Sequence, residues 1–229
     1  MKKGVMNMAY GVVFEVQGDH ACFSRPELKV ERLSYDCITP SAAVGILESI
    51  YWHPPMKYVI DKIHVLNPIK FVTVRKNELK SKAAKDLLYK AACGNSDLPY
   101  LNTKDEIQQR TSTMLVDVRY VIEAHFELDE NKMGPEDSPA KYASILNRRL
   151  ERGQCFQQPY LGVRECVAHV CPYEGTIPPQ GYYANEAEHD FGLMLYGMNY
   201  DNPKDITPMF YRAVMRNGCI DVAGSEVYR

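Results

Sequence analysis

Apolar and polar positions alternate at the start of the chain. Tyr10, Val12, Phe14 and Val16 fall on one side, and Gly11, Val13, Glu15 and Gln17 on the other. A period of two marks a half-buried strand, and the spacing predicts one that ends at a Gly18-Asp19 turn. An extended stretch over 20–29 follows, broken by Pro26. Then the period changes: Ala43, Ile46, Leu47, Ile50 and Tyr51 recur at helical spacing. Thr39 is a good N-cap, and Pro40 fills the first helical position, where a missing N–H costs nothing. His53 precedes Pro54-Pro55, and a residue before proline is pushed out of the α region. The helix is predicted to stop there, presenting Tyr51, Trp52 and His53 at its exit.

β-branched sequence over 58–74 predicts two strands, or one bent strand, around Asn67-Pro68. Residues 76–112 are polar, with a weak apolar stripe at Leu79, Ala83, Leu87 and Ala91 among lysines. They read as an insertion carrying a short basic helix. The stretch 114–128 alternates most cleanly. Met114, Val116, Val118, Tyr120, Ile122, Ala124, Phe126 and Leu128 share one face, and Asp117, Arg119, Glu123, His125 and Glu127 the other. Ser138 caps and Pro139 starts a second helix, with Tyr142, Ile145, Leu146 and Leu150 inward and Gly153 at its end. A further strand is predicted over 160–170, with GVREC at its centre. The order strand, helix, strand, strand, helix, strand predicts an α+β fold of the ferredoxin-like split βαβ type. Residues 1–171 form that domain, including the insertion 76–112, and 172–229 form a C-terminal β-rich extension.

At 229 residues the chain is long enough to bury a sizeable core. No segment approaches the roughly 18 unbroken apolar residues of a membrane span. The opening MKKGVMNMAYGVV lacks a clean apolar run and cleavage site, so no signal peptide is expected. Seven scattered cysteines form no CxxC pair, which points to free thiols in a reducing cytoplasm. The net charge of −2 argues against an indiscriminate nucleic-acid binder, but its distribution is uneven. Residues 57–90 hold nine Lys/Arg against three Asp/Glu, and 123–137 hold six Asp/Glu against one Lys. Such a split suits a surface that meets a polyanion on one side and other proteins elsewhere.

Lys141 is the first chemical anomaly. It lies in the first turn of its helix, where the macrodipole disfavours a cation, unless a phosphate joins it at the exposed N–H groups. The alternative is a surface lysine paired with Glu136 or Asp137. Cys166, His169 and Cys171 lack a second pair at zinc spacing, and the first two would point to opposite faces of a strand. No GxxxxGK[ST], GxGxxG or HExxH occurs, and no D-x-D carboxylate cluster. No metal or cofactor is therefore expected.

The stretches ERLSYDCITPSAAVGILESIYWHP (31–54), YLGVREC (160–166) and FSRPELK (23–29) resemble the type I-C CRISPR-associated proteins of the RAMP superfamily. These are repeat-processing endoribonucleases that also hold the 5′ handle of the guide RNA. The resemblance implies an RRM-like domain, and as partners the CRISPR repeat or guide RNA and the backbone and large subunits of the type I-C interference complex. It also implies cleavage residues: a tyrosine at the end of the first helix, matched by Tyr51, and a helix-start Lys-His pair. The lysine matches Lys141, but Tyr142 stands in the histidine position. His53 is the substitute histidine, with His20 and His125 weaker. The implied reaction is metal-independent attack by a 2′-OH, giving a 2′,3′-cyclic phosphate and a 5′-hydroxyl. RNA-contact candidates are Arg25, Lys29, Arg32, Lys76, Lys80, Lys82 and Arg164, with Tyr35 and Trp52 to stack bases. Two rival expectations follow from the Tyr142 departure and from the fold: a non-catalytic handle-binding subunit, and a scaffold that binds only protein.

Overall fold

The computed structural model describes residues 10–28, 30–82, 84–95, 102–200, 202 and 204–229. Lys29 and Ala83, both used in the sequence reading, lie outside the described residues. In chain order the elements are β1 (Gly11–Ala21), β2 (Arg32–Leu33), α1 (Pro40–Ile50), β3 (Met56–Val65), β4 (Phe71–Leu79), α2 (Lys85–Ala92), α3 (Thr103–Glu106) and β5 (Ile107–Leu128). After a 3-10 turn at Glu130–Lys132 come α4 (Pro139–Glu151), β6 (His169–Pro172), β7 (His189–Asn199), β8 (Thr207–Arg216), β9 (Cys219–Asp221) and β10 (Val227–Tyr228).

Both main helices begin where their caps dictate. Thr39 accepts a hydrogen bond from the Ala42 N–H, Ser138 accepts one from the Lys141 N–H, and each helix has proline in its first turn. Their apolar faces meet in one core. Ile46, Leu47 and Leu146 are buried there with Phe14, Val16, Tyr120 and Ile122 from the sheet. Each such side chain contributes about 1.5–3 kcal/mol on full burial.

The fold is mixed α/β on an antiparallel sheet, whose central strands run β3-β5-β1-β6. β9 pairs with β3 through Ile220 and Ile63, and β8 continues beyond it, with β7 and β10 paired on β8. Residues 172–229 thus share the sheet. They also share the core, since Met194, Tyr211, Met215 and Ile220 belong to the same buried cluster as α1.

Three local expectations give way to tertiary contacts. The first strand does not turn at Gly18. It continues to Ala21, with Gly18 opposite Val118. Glycine is required there by close approach: an added Cβ would stand 2.5 Å from Leu161 Cδ1 and 2.8 Å from the Val167 carbonyl oxygen. The stretch 160–170 is not one strand. Tyr160 and Val167 form a lone antiparallel bridge, with left-handed Gly162 (φ +84°) in the loop between them, and β6 starts only at His169. The 114–128 strand is the last fifteen residues of a 22-residue strand. Asp117, at φ +52°, lies where β5 changes partner from β4 (107–115) to β3 (120–128). The predicted face stays buried on both sides of Asp117, and Leu115 and Val121 on the other face are buried as well. The ends of the expected insertion are therefore ladder. β4 and β5 pair out to Leu79 and Ile107, and α2 and α3 sit between those ends. β4 and α2 bury no residue.

Gly18→Ala is expected to cost about 1–3 kcal/mol by overpacking, measured as a lowered urea midpoint with unchanged slope. An unchanged midpoint would show that the 161–167 loop yields freely.

Candidate functional site

The exit of α1 and the entrance of α4 face each other. Tyr51 is the C-cap of α1, its N–H bonded to the Leu47 carbonyl. Extended backbone follows, placing Trp52 outward at 53% exposure and His53 half-buried. From α4, Tyr142 comes inward at 1% exposure. Its hydroxyl lies 3.1 Å from His53 Nδ1, and its ring centroid is 6.2 Å from that of Tyr51. Lys141, one residue earlier, points outward. Its ammonium lies 3.6 Å from an Asp137 carboxylate oxygen and donates to the Glu136 carbonyl at 3.3 Å. Tyr51, His53 and Tyr142 are therefore brought together, while Lys141 lies one residue from them on the outside of the turn, paired with Asp137 as the surface-lysine alternative has it.

Two residues absent from the sequence reading as site members organise this cluster. Asp137 accepts from the Gly134 N–H at 2.9 Å. That bond first, and the Tyr142 hydroxyl next, hold its carboxyl below the usual carboxylate range. Arg149, two turns along α4 from Tyr142, donates to the Ile50 carbonyl at 2.6 Å and lies over the Tyr51 ring at 5.0 Å. The sevenfold spacing of Tyr142 and Arg149 puts both on one face of α4, which was the available signal. Asp137 had only its place just before the cap.

The electrostatics separate the two tyrosines from ordinary ones. Burial raises the Tyr51 pKa, offset in part by Arg149. Tyr142 is pushed up to about 12, by burial first and then by the facing Asp137 carboxylate. Neither supplies a phenolate near neutral pH. An ionised carboxylate only accepts hydrogen bonds. A Tyr142 proton turned to Asp137 leaves the hydroxyl oxygen to accept from His53 Nδ1–H, and His53 Nε2 is then free to carry a proton to a ligand.

The match to known proteins covers nearly the whole chain. The family described as CRISPR-associated protein (Cas_Cas5) matches residues 11–223. The chain belongs to this family. It is 45% identical over 219 residues to the CRISPR pre-crRNA endoribonuclease Cas5d of Mannheimia succiniciproducens, covering 94% of this chain and 96% of that protein. It is 34% identical to the protein of the same name from Thermus thermophilus, covering 94% and 93%. A crystal structure of a CRISPR-associated protein shares the fold, with a TM-score of 0.66 at 24% identity and 96% coverage of both chains.

In this Cas5-family chain the nucleic-acid candidates fall into distinct settings. Trp52, Lys80, Lys82 and Arg164 are exposed. Arg32 is ion-paired to Glu78 at 3.1 Å, and Lys76 to Glu165. Arg25 is paired to Asp36 at 3.1 Å and stacked over Tyr35. Tyr35 itself is only 2% exposed, so its ring is core and not a platform for bases. Lys29 lies outside the described residues. Of the weaker histidines, His125 bonds Asp61 at 2.9 Å on the strand pair β3–β5, away from the helix ends. His20, near the end of β1, is exposed.

Folding lowers the Asp137 pKa, so its contribution to stability is complete above the unfolded value, about 3.9, and is lost as pH falls through the folded value. Asp137→Asn is expected to be less stable than wild type at neutral pH and to converge on it below about pH 4, read as urea midpoints across that range. A gap independent of pH would contradict the carboxylate's role.

Proposed function

We propose that this chain is a CRISPR pre-crRNA endoribonuclease that cuts repeat RNA at the base of its hairpin and keeps the 5′ handle. Family membership and 45% identity to a protein of that name support the activity. The observation that carries the site is the meeting of Tyr51, His53 and Tyr142 between two helix ends, with Lys141 on the adjoining first turn of α4 beside Asp137.

The reaction transfers no atoms to or from a cofactor. The ribose 2′-oxygen attacks the adjacent phosphorus, the bond from phosphorus to the 5′-oxygen breaks, and a 2′,3′-cyclic phosphate forms. The proton lost from the 2′-OH passes to solvent, and the proton gained by the 5′-oxygen comes from His53 Nε2. An imidazole is the side chain best suited to give a proton near neutral pH. Tyr51, neutral because its pKa is raised, orients the 2′-OH by hydrogen bonding. Lys141 faces the charge that grows on the phosphorane, at a helix N-terminus that favours anions. Tyr142 is a positioning residue: buried, it holds the His53 ring and never touches RNA. This arrangement answers the departure at the helix start, since the histidine that the family places beside the lysine is supplied here from the exit of α1. With no ionised base the chemistry is slow, consistent with an enzyme that cuts once and retains its product.

The strand order β3-β5-β1-β6, with α1 and α4 packed in one core, supports the ferredoxin-like, RAMP-type reading of the domain. Trp52, exposed beside Tyr51 and His53, is the base-stacking residue. The exposed Lys80, Lys82 and Arg164 contact phosphates. On this reading a subunit that keeps the handle works beside the backbone and large subunits of the interference complex, in the cytoplasm. No described helix is long and apolar enough to cross a membrane.

Single-turnover cleavage of the cognate repeat RNA in EDTA tests this reading. His53→Ala is expected to slow cleavage about 10²–10⁴-fold, and Tyr51→Phe and Lys141→Ala about 10²–10³-fold each. Tyr142→Phe should slow cleavage while leaving RNA affinity intact. Because Tyr51 acts as a neutral hydroxyl, Tyr51→Phe should lower the rate without changing the shape of the pH profile between about pH 6 and 9. Full activity in all four variants would remove the site assignment.

A further inference from the structure

A second cluster of charge sits where the β4–β5 ribbon leaves the body. The register sets Lys76 directly opposite Arg110, and like charges opposite each other in a ladder repel. Arg32 joins them from β2, paired with Ser112 two residues beyond Arg110. Two carboxylates answer these three cations. Glu78, on the ribbon itself, lies 3.1 Å from Arg32 and 3.5 Å from Arg110. Glu165 comes from elsewhere, the loop between Tyr160 and Val167. It pairs with Lys76 and reaches Arg32 at 4.0 Å.

Glu165 differs from Glu78 in three ways. It is 47% exposed against 23%. It sits on a loop outside the ribbon whose Leu161 and Cys166 are anchored in the core, so that its side chain can leave the cations without the ribbon moving. Its neighbour Arg164 is exposed and makes no ion pair among the described residues. Arg110 also keeps its Nε buried with no partner among the described residues, a donor left unused beside these ion pairs. Exposed ion pairs are weak and open readily. A phosphate oxygen makes the same charge-assisted contacts to Arg and Lys as a carboxylate oxygen, and an RNA strand adds the gain from released counterions.

We propose that Arg32, Lys76 and Arg110 form a cradle for an RNA backbone phosphate, and that Glu165 occupies it as an intramolecular stand-in until RNA displaces it. The carboxylate keeps the cradle closed to isolated anions and to chance polyanions, so that only a strand already held at other points competes it away. Arg32 and Lys76 are then RNA contacts whose ion pairs in the free protein are part of their use. This inference rests on the RNA-processing reading above, and it concerns a surface separate from the cleavage cluster.

The test is binding of repeat RNA carrying a 2′-deoxy nucleotide at the cleavage position, measured across a salt series. Glu165→Gln is expected to bind about two- to fivefold more tightly than wild type at low salt, with the gain shrinking as salt rises. The gain should vanish in the double variant Arg32→Ala/Glu165→Gln. Thermal unfolding of each variant reports on the loop. Affinity that is unchanged or weaker in Glu165→Gln, while wild type binds normally, overturns the stand-in role and leaves the cleavage reading untouched. Absence of salt-dependent binding by wild type itself sinks both.

Discussion

An α-helix ends with carbonyls that nothing inside it can satisfy, and in α1 those carbonyls are met from across the site. Arg149 of α4 donates to the Ile50 carbonyl, and the backbone N–H groups of Phe156 and Gln157 donate to that of Ser49. A cation at this end also complements the helix dipole. A hydrogen bond from a charged group contributes about 1.5–3 kcal/mol. Its larger consequence is geometric. With the end of α1 fixed against α4, the three residues that leave it have one path, and Tyr51 and His53 arrive beside Tyr142. Tyr58 closes the same joint from the sheet, donating to the Tyr51 carbonyl at 2.7 Å. Everything chemical in the cluster depends on this splice between two helices that are some ninety residues apart in sequence.

The molecule places its two kinds of charge differently. Around the helix ends a few groups are held tightly. Asp137 is fixed by a backbone N–H and Tyr142 is buried against it, while Lys141 reaches back to the same turn from an exposed position. Along the β4–β5 ribbon the charges are many, partly exposed and mutually exchangeable. Preorganised groups suit transition-state stabilisation, where reorganisation would cost rate. Exchangeable groups suit a surface that must trade protein carboxylates for phosphates. The ribbon has little core of its own, and a two-stranded ribbon is marginal without packing. It is tied to the body by the continuity of β5, the β2–β5 pairing and the packing of Val72 and Val74 against the core, with the ion pairs to Arg32 and Glu165 added to these.

The sequence made legible whatever was decided locally. Thr39-Pro40 and Ser138-Pro139 fix the helix starts because cap chemistry acts within four residues, and Pro54 fixes the end of α1 for the same reason. Family likeness pointed to Tyr51 and Lys141, and His53 followed from its place two residues on. What stayed hidden required a partner distant in sequence. Gly18 looks like a turn residue and is instead a gap left for the 161–167 loop. Tyr35 looks like a stacking ring and is covered by the core and Arg25. Asp117 reads as one more polar position in an alternating strand, yet its left-handed backbone lies where that strand changes partner. Asp137 and Arg149 carry ordinary surface chemistry until the fold puts one against Tyr142 and the other over Tyr51.

The central claim is that His53, steadied by Tyr142, delivers the proton to the leaving 5′-oxygen. The most direct measurement replaces that oxygen with sulfur at the scissile linkage of the repeat RNA and compares His53→Ala with Lys141→Ala in single-turnover cleavage. A thiolate leaves without a proton donor. The His53→Ala defect should therefore largely disappear on the sulfur substrate, while the Lys141→Ala defect, which concerns charge on the phosphorane, should remain. Equal defects of His53→Ala on the oxygen and sulfur substrates would contradict the account.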